Sequence, residues 1–175
     1  MFNPEFEIFN DWMFGKLSAL LSDVSPVQNT EHILLTIGEP KNHPPEIIKE
    51  TLNKYSADWR KYTPSSGTRY FRESVAEYIS KRYPNCSDFF DIDEEICPVP
   101  GTRAPLFQIG LLIKNGSKDK HISLVTNPFY HAWRAGAIAA NNKIIWMDAT
   151  ADTNWLPQPN DIEENILKKS SIMYV

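Results

Sequence analysis

The chain of 175 residues carries 18 lysines and arginines against 22 aspartates and glutamates, a formal net charge of −4, and 42% of it is hydrophobic. That composition suits a globular protein with a substantial core, and its mild acidity lacks the basic stripe of a nucleic-acid binder. Apolar runs are broken well short of about 18 residues, so no membrane-spanning helix is expected, and two cysteines, Cys86 and Cys97, make neither a disulfide framework nor a zinc pattern.

The first 30 residues mix short helical signals with turn residues. Trp12, Leu17, Leu20 and Leu21 can share one apolar face, and residues 23–30 read as loop. Glu5, Glu7 and Asp11 near the start come without a basic segment, so no signal peptide is expected and the expected compartment is the cytoplasm. Residues 33–37 form a short apolar strand candidate, ended by Gly38-Glu39-Pro40. Pro45 then suits the opening of a helix over residues 46–55, because the N–H it lacks would have no helical partner there. Residues 61–67 are a second loop. From Thr68 onward Phe71, Val75, Tyr78, Ile79 and Arg82 recur with a helical period.

Beyond the acidic loop at 88–93 the pattern changes. Strands are predicted at 95–99, 121–126, 143–148 and 171–175. Helices are predicted at 103–114, 132–140 and 161–169, the first of them apolar enough to be buried. Such alternation predicts an α/β fold, a mostly parallel sheet with helices on both faces. The last strand has no turn or polar tail after it, so the chain is expected to be the N-terminal fragment of a longer protein.

In open α/β sheets ligands sit beyond the carboxyl ends of the strands, and two such ends carry unusual residues. Pro100-Gly101-Thr102-Arg103-Ala104-Pro105 joins a predicted strand to a helix. Gly101 permits a tight turn, and the free N–H groups of the first helical turn suit an anion. Arg103 is a cation at the positive end of a helix, unfavourable by about 0.3–1 kcal/mol unless an anion binds there. The competing reading is a plain glycine turn with Arg103 bonded to a nearby carboxylate. In Asn127-Pro128-Phe129-Tyr130, Tyr130 can lie flat on a planar ligand, or both aromatics can simply fill the gap between strand and helix. Tyr62, in an exposed loop before Gly67, needs something to cover its ring, and another subunit or its own loop would serve. Four histidines without ligand spacing give no expectation of a metal.

Together these segments resemble the fold-type I, pyridoxal-phosphate-dependent aminotransferases (class I/II, the aspartate aminotransferase superfamily). Leu35-Thr36-Ile37-Gly38-Glu39-Pro40 is similar to the family's N-terminal signature, and Tyr62-Thr63-Pro64-Ser65-Ser66-Gly67 with Phe71-Arg72 to its Y-x-P-x-x-G-x-x-x-L-R segment. Pro100-Gly101-Thr102-Arg103 resembles its phosphate loop and Asn127-Pro128-Phe129-Tyr130 its P-x-Y segment. Within the superfamily the combination most resembles bacterial succinyldiaminopimelate transaminases of lysine biosynthesis.

The resemblance implies a truncated type I fold, with residues 1–45 as an N-terminal arm and part of a small domain, and 46–175 as part of the large cofactor-binding domain. It implies pyridoxal 5'-phosphate as cofactor, with the amides of Thr102 and Arg103 on its phosphate, Gly101 shaping the turn and Tyr130 stacked on the ring. Tyr62 would reach the phosphate of the other subunit in a homodimer, and the Gly38 N–H would meet the substrate α-carboxylate. The Schiff-base lysine would lie beyond Val175, leaving this piece inactive by itself. The implied substrates are a small-molecule amino acid, of the succinyldiaminopimelate/glutamate type, and a 2-oxo acid; composition and spacing add no expectation of a nucleic-acid, membrane or metal partner. Another transaminase or a carbon–sulfur lyase of the same fold, or a non-catalytic effector domain of a regulator, would share this half. Were the motif matches chance, an α/β nucleotide-binding domain would remain.

Overall fold

A parallel sheet carries the α/β architecture in the computed structural model, which describes Glu7 and residues 13–31, 33, 35, 37–86, 91–113 and 119–175. Strand β1 (Ile122–Asn127) lies between β2 (Lys143–Asp148) and β3 (Ser170–Tyr174) and pairs in parallel with both. Its first five residues are all buried. A central parallel strand is covered on both faces, so its residues need not alternate between apolar and polar.

On one face Ile122, Leu124 and Met147 form a core with Ile145, Met173, Ile162 and Ile166, the last from helix α6 (Glu164–Lys169). On the other, Tyr174 stacks on Trp133 of helix α5 (His131–Ala139), ring centroids 5.5 Å apart and planes at 15°. Helix α4 (Arg103–Leu112) packs on α5 with almost no side chain between them. A Cβ added at Gly136 would stand 2.6 Å from the Phe107 carbonyl oxygen, and one at Gly110 3.0 Å from the Gly136 carbonyl. Two glycines thus let the helix backbones touch.

By its own contacts the chain divides into two units, one carrying the described residues of Met1–Ser22 with Val99–Val175, the other Asp23–Pro98. The first also contains α1 (Met13–Leu20). The second holds α2 (Glu46–Lys54) and α3 (Arg69–Arg82), with a short 3-10 helix at Ser56–Arg60. Pro45 stands at the N-cap of α2, as its missing donor predicts. Thr68 caps α3, its hydroxyl oxygen accepting from the Phe71 amide at 3.2 Å.

Four expectations need correction. Residues 95–99 form no strand. Pro98 has no donor to offer a ladder, and among the described residues no neighbouring strand pairs with the segment. Of residues 33–37, Ile33, Leu35 and Ile37 are exposed and outside any strand, while Leu34 and Thr36 fall outside the described residues. Helix α4 is not buried as predicted: only Gly110 is, and Leu112 is 82% exposed, because one helix face alone meets α5. The helix predicted at 161–169 starts later, after a 3-10 turn at Pro159–Asp161. Trp12 and Lys114 lie outside the described residues. Among the described residues no helix is long and apolar enough to cross a membrane, and no group of His, Cys, Asp and Glu side chains could hold a metal.

Candidate functional site

Parallel pairing brings the carboxyl ends of all three strands to one edge of the sheet, at Asn127, Asp148 and Tyr174. The Asn127 side-chain amide donates to an Asp148 carboxylate oxygen at 2.9 Å, tying the first two ends together. After β1 the chain passes through a cis Asn127–Pro128 bond to Phe129 and Tyr130. The two aromatics divide the readings left open by sequence. Phe129 fills a gap, its ring 5.0 Å from that of Trp146. Tyr130 is half-buried at the N-cap of α5, edge-on to Trp133 at 6.2 Å and tilted against His131 at 4.6 Å.

The turn before α4 is built as its sequence predicts. Gly101 takes φ +80°, a left-handed conformation that glycine reaches without a Cβ penalty, and its amide donates to the Val99 carbonyl at 2.9 Å. Where its Cβ would stand there is open space. Thr102 follows at the N-cap, yet its side chain makes no capping bond, and no acidic residue occupies the first turn of α4. The helix therefore presents uncapped amides and the positive end of its dipole beside the open space at Gly101.

Arg103 resolves the other open reading. Its Nε donates to the Tyr130 phenolic oxygen at 3.2 Å, and among the described residues it has no carboxylate partner. A cation left unneutralised at a helix N-terminus, next to free amides and an aromatic ring, is an arrangement that an anion would stabilise. The Arg103–Tyr130 bond thus brings Tyr130 to the exposed turn formed by Gly101, Thr102 and Arg103.

The remaining predicted site residues belong to the Asp23–Pro98 unit. Gly38 sits in an exposed irregular run with open space where a Cβ would stand. Tyr62 is completely exposed, its ring covered by nothing in its own loop, so the loop-anchor reading fails. Sequence reasoning missed Asp93 and gave no role to Arg72, whose side chain is 11% exposed. Its Nη1 donates to the Gly67 carbonyl at 2.7 Å and its Nη2 to Asp93 at 2.8 Å. No local signal joins residues 21 positions apart. The glycine pair at 110 and 136 was equally invisible.

A family model described as aminotransferase class I and II matches residues 30–175. Among curated proteins, the chain is 27% identical over 162 residues to an aspartate aminotransferase of Pyrococcus horikoshii, covering 92% of this chain and 39% of that protein. It is 24% identical over 180 residues to an LL-diaminopimelate aminotransferase of Aquifex aeolicus, covering 99% and 44%. An aminotransferase structure from Neisseria meningitidis matches with a TM-score of 0.87 at 25% identity, covering 99% of this chain and 44% of that one. Another, from Helicobacter pylori, matches with a TM-score of 0.77 at 22% identity, a likeness of fold. The chain spans less than half the length of the curated relatives it matches.

Proposed function

Because the chain belongs to the class I and II aminotransferases, whose cofactor is pyridoxal 5'-phosphate, we propose that the whole protein moves an amino group between an amino acid and a 2-oxo acid. The observation that carries this reading is the uncapped N-terminus of α4 behind Gly101, with Arg103 laid against the Tyr130 phenol. The residues suit a phosphate: free amides and a cation stand beside the open space at Gly101, and an aromatic ring lies next to them for a flat heterocycle.

In this reading the amides of Thr102 and Arg103 hold the phosphate, and Gly101 lets the backbone approach it. Tyr130 covers one face of the ring, and the Arg103 bond to its phenol restrains the ring's rotation. Tyr62, whose exposed ring its own loop does not cover, reaches the phosphate bound by a second copy in a homodimer. The Gly38 N–H binds the substrate α-carboxylate. When bound, the cofactor supplies the electron sink that makes removal of the substrate α-proton feasible at neutral pH. Residues 1–45 serve as an arm and part of a small domain and 46–175 as part of the large domain, in a cytoplasmic enzyme. The free thiols of Cys86 and Cys97 suit such a reducing compartment.

For the substrate we propose the succinyldiaminopimelate and glutamate pair of lysine biosynthesis. Its support is the Gly38-Glu39-Pro40-Lys41, Gly101-Thr102-Arg103 and Asn127-Pro128-Phe129-Tyr130 combination, together with relatives named for aspartate and LL-diaminopimelate. The test is to supply the whole protein with pyridoxal 5'-phosphate and follow 2-oxoglutarate release from glutamate, with the N-succinylated oxo acid as acceptor. Stoichiometric cofactor uptake with a visible absorption band and turnover is expected. Failure to take up the cofactor overturns the reading, and turnover of free LL-diaminopimelate in preference overturns only the substrate.

A further inference from the structure

The residues around Gly67 are bound far more tightly than an exposed loop requires. The Gly67 amide donates to the Pro64 carbonyl at 2.9 Å, closing a turn. Gly67 itself is buried with φ +79°, and a Cβ there would stand 2.9 Å from Pro98 Cγ. Arg72, one turn into α3, reaches back and donates through Nη1 to the carbonyls of Gly67 at 2.7 Å and Ser66 at 3.3 Å. Its Nη2 is held by Asp93 at 2.8 Å, and Asp93 also lies 3.6 Å from Arg69. The Arg72 Nε is left buried without an acceptor, so the guanidinium is placed by these carbonyls and Asp93 at the expense of its third donor group. Just beyond the gripped turn stands Tyr62, whose ring touches nothing in its own loop.

We propose that Arg72, held by Asp93, is a positioning residue for Tyr62: it locks the 62–67 loop so that the phenol is presented in one place to its ligand. The inference rests on the proposed role of Tyr62 at the cofactor phosphate of a second copy. Arginine is suited to the task because its fixed fork serves two carbonyls and a carboxylate at once, which a lysine ammonium on a flexible stem does not. Asp93 additionally places negative charge beside both arginines near the start of α3, Arg69 being paired with Glu73 as well.

The test measures pyridoxal 5'-phosphate affinity of the whole protein by spectrophotometric titration. Tyr62→Phe removes a hydrogen bond to a charged group and is expected to weaken binding about tenfold or more. Arg72→Gln and Asp93→Asn are expected to weaken it about three- to tenfold, with Arg72→Lys intermediate between Arg72→Gln and the native protein. In a Tyr62→Phe background neither should cause further loss, because a loop without the phenol gains nothing from being positioned. A general weakening of the fold would instead add to the Tyr62→Phe loss. If Tyr62→Phe weakens binding while the other variants bind normally, or their losses simply add, the inference is overturned and the proposed function stands. If Tyr62→Phe leaves affinity unchanged, the role of Tyr62 falls and the inference with it. Should Arg72→Gln fail to fold, Asp93→Asn, at an exposed residue, decides by the same comparison.

Discussion

Replacing Gly136 by alanine sets two effects of known size against each other. In the middle of a helix alanine is favoured over glycine by about 1 kcal/mol, so α5 by itself should gain stability. Against that, the new Cβ would stand 2.6 Å from the Phe107 carbonyl oxygen, where ordinary contact begins at 3.4 Å. The obstacle is backbone, not the end of a flexible side chain, so α4 must move off α5 by about 0.8 Å, and overpacking of that kind costs about 1–3 kcal/mol. A Cβ so close to a backbone oxygen puts that cost in the upper part of its range, so packing wins and the expected outcome is a net loss of about 1–2 kcal/mol in urea unfolding of the whole protein. Arg103 lies one turn before Phe107, so the same displacement pulls the α4 amides away from Tyr130. Affinity for pyridoxal 5'-phosphate should therefore fall several-fold in parallel. A Gly136→Ala protein as stable as the native one, or more so, would refute the idea that touching backbones set the position of α4.

Gly67 and Gly101 share a left-handed φ but differ in surroundings, so they separate backbone strain from steric exclusion. Gly101→Ala meets open space and should cost only the backbone term, about 1 kcal/mol, together with weaker cofactor binding. Gly67→Ala adds a collision with Pro98 and should cost at least about 2 kcal/mol; equal losses in urea unfolding would show that the Pro98 contact does not matter. A third expectation concerns alkaline pH. Burial among apolar neighbours raises the Tyr174 phenol above its ordinary value of about 10, since desolvation disfavours the charged form. The folded state then holds this proton longer than the unfolded chain does. The contribution to stability is complete below about pH 10 and disappears as pH rises through the folded-state value. Tyr174→Phe loses the phenol's bond to the Leu106 carbonyl at every pH, so its offset from the native melting temperature should stay constant below about pH 10 and change only above it, with the native protein losing more.

How much of this was legible in the sequence depends on how local the cause is. Pro45 before α2, Thr68 before α3 and Gly101 before α4 act through their own backbone geometry, and each was readable in place. Strands β1 and β2 and helix α5 were readable because their apolar patterns are continuous over a whole element. The resemblance to class I and II aminotransferases rested on four short motifs in order, and the family match over residues 30–175 agrees with it.

Segment 95–99 shows where local reasoning fails. Its residues favour a strand, yet a strand exists only if a neighbour accepts its hydrogen bonds, and that is decided elsewhere in the fold. Helix α4 fails in the same way, since apolar composition states what a helix would bury but not what is available to cover it. The sequence by itself determined the types of α2, α3, α4, α5, β1, β2 and β3 and the glycine turn before α4, because these follow from interactions within a few residues. Only the tertiary structure decided that Arg103 meets a phenol and not a carboxylate, that Arg72 grips Gly67 from one turn into α3 and Asp93 from 21 residues away, and that two glycines set the distance between α4 and α5. Those contacts join positions whose separation along the chain carries no periodic signal, so they come into being only when packing brings the positions together.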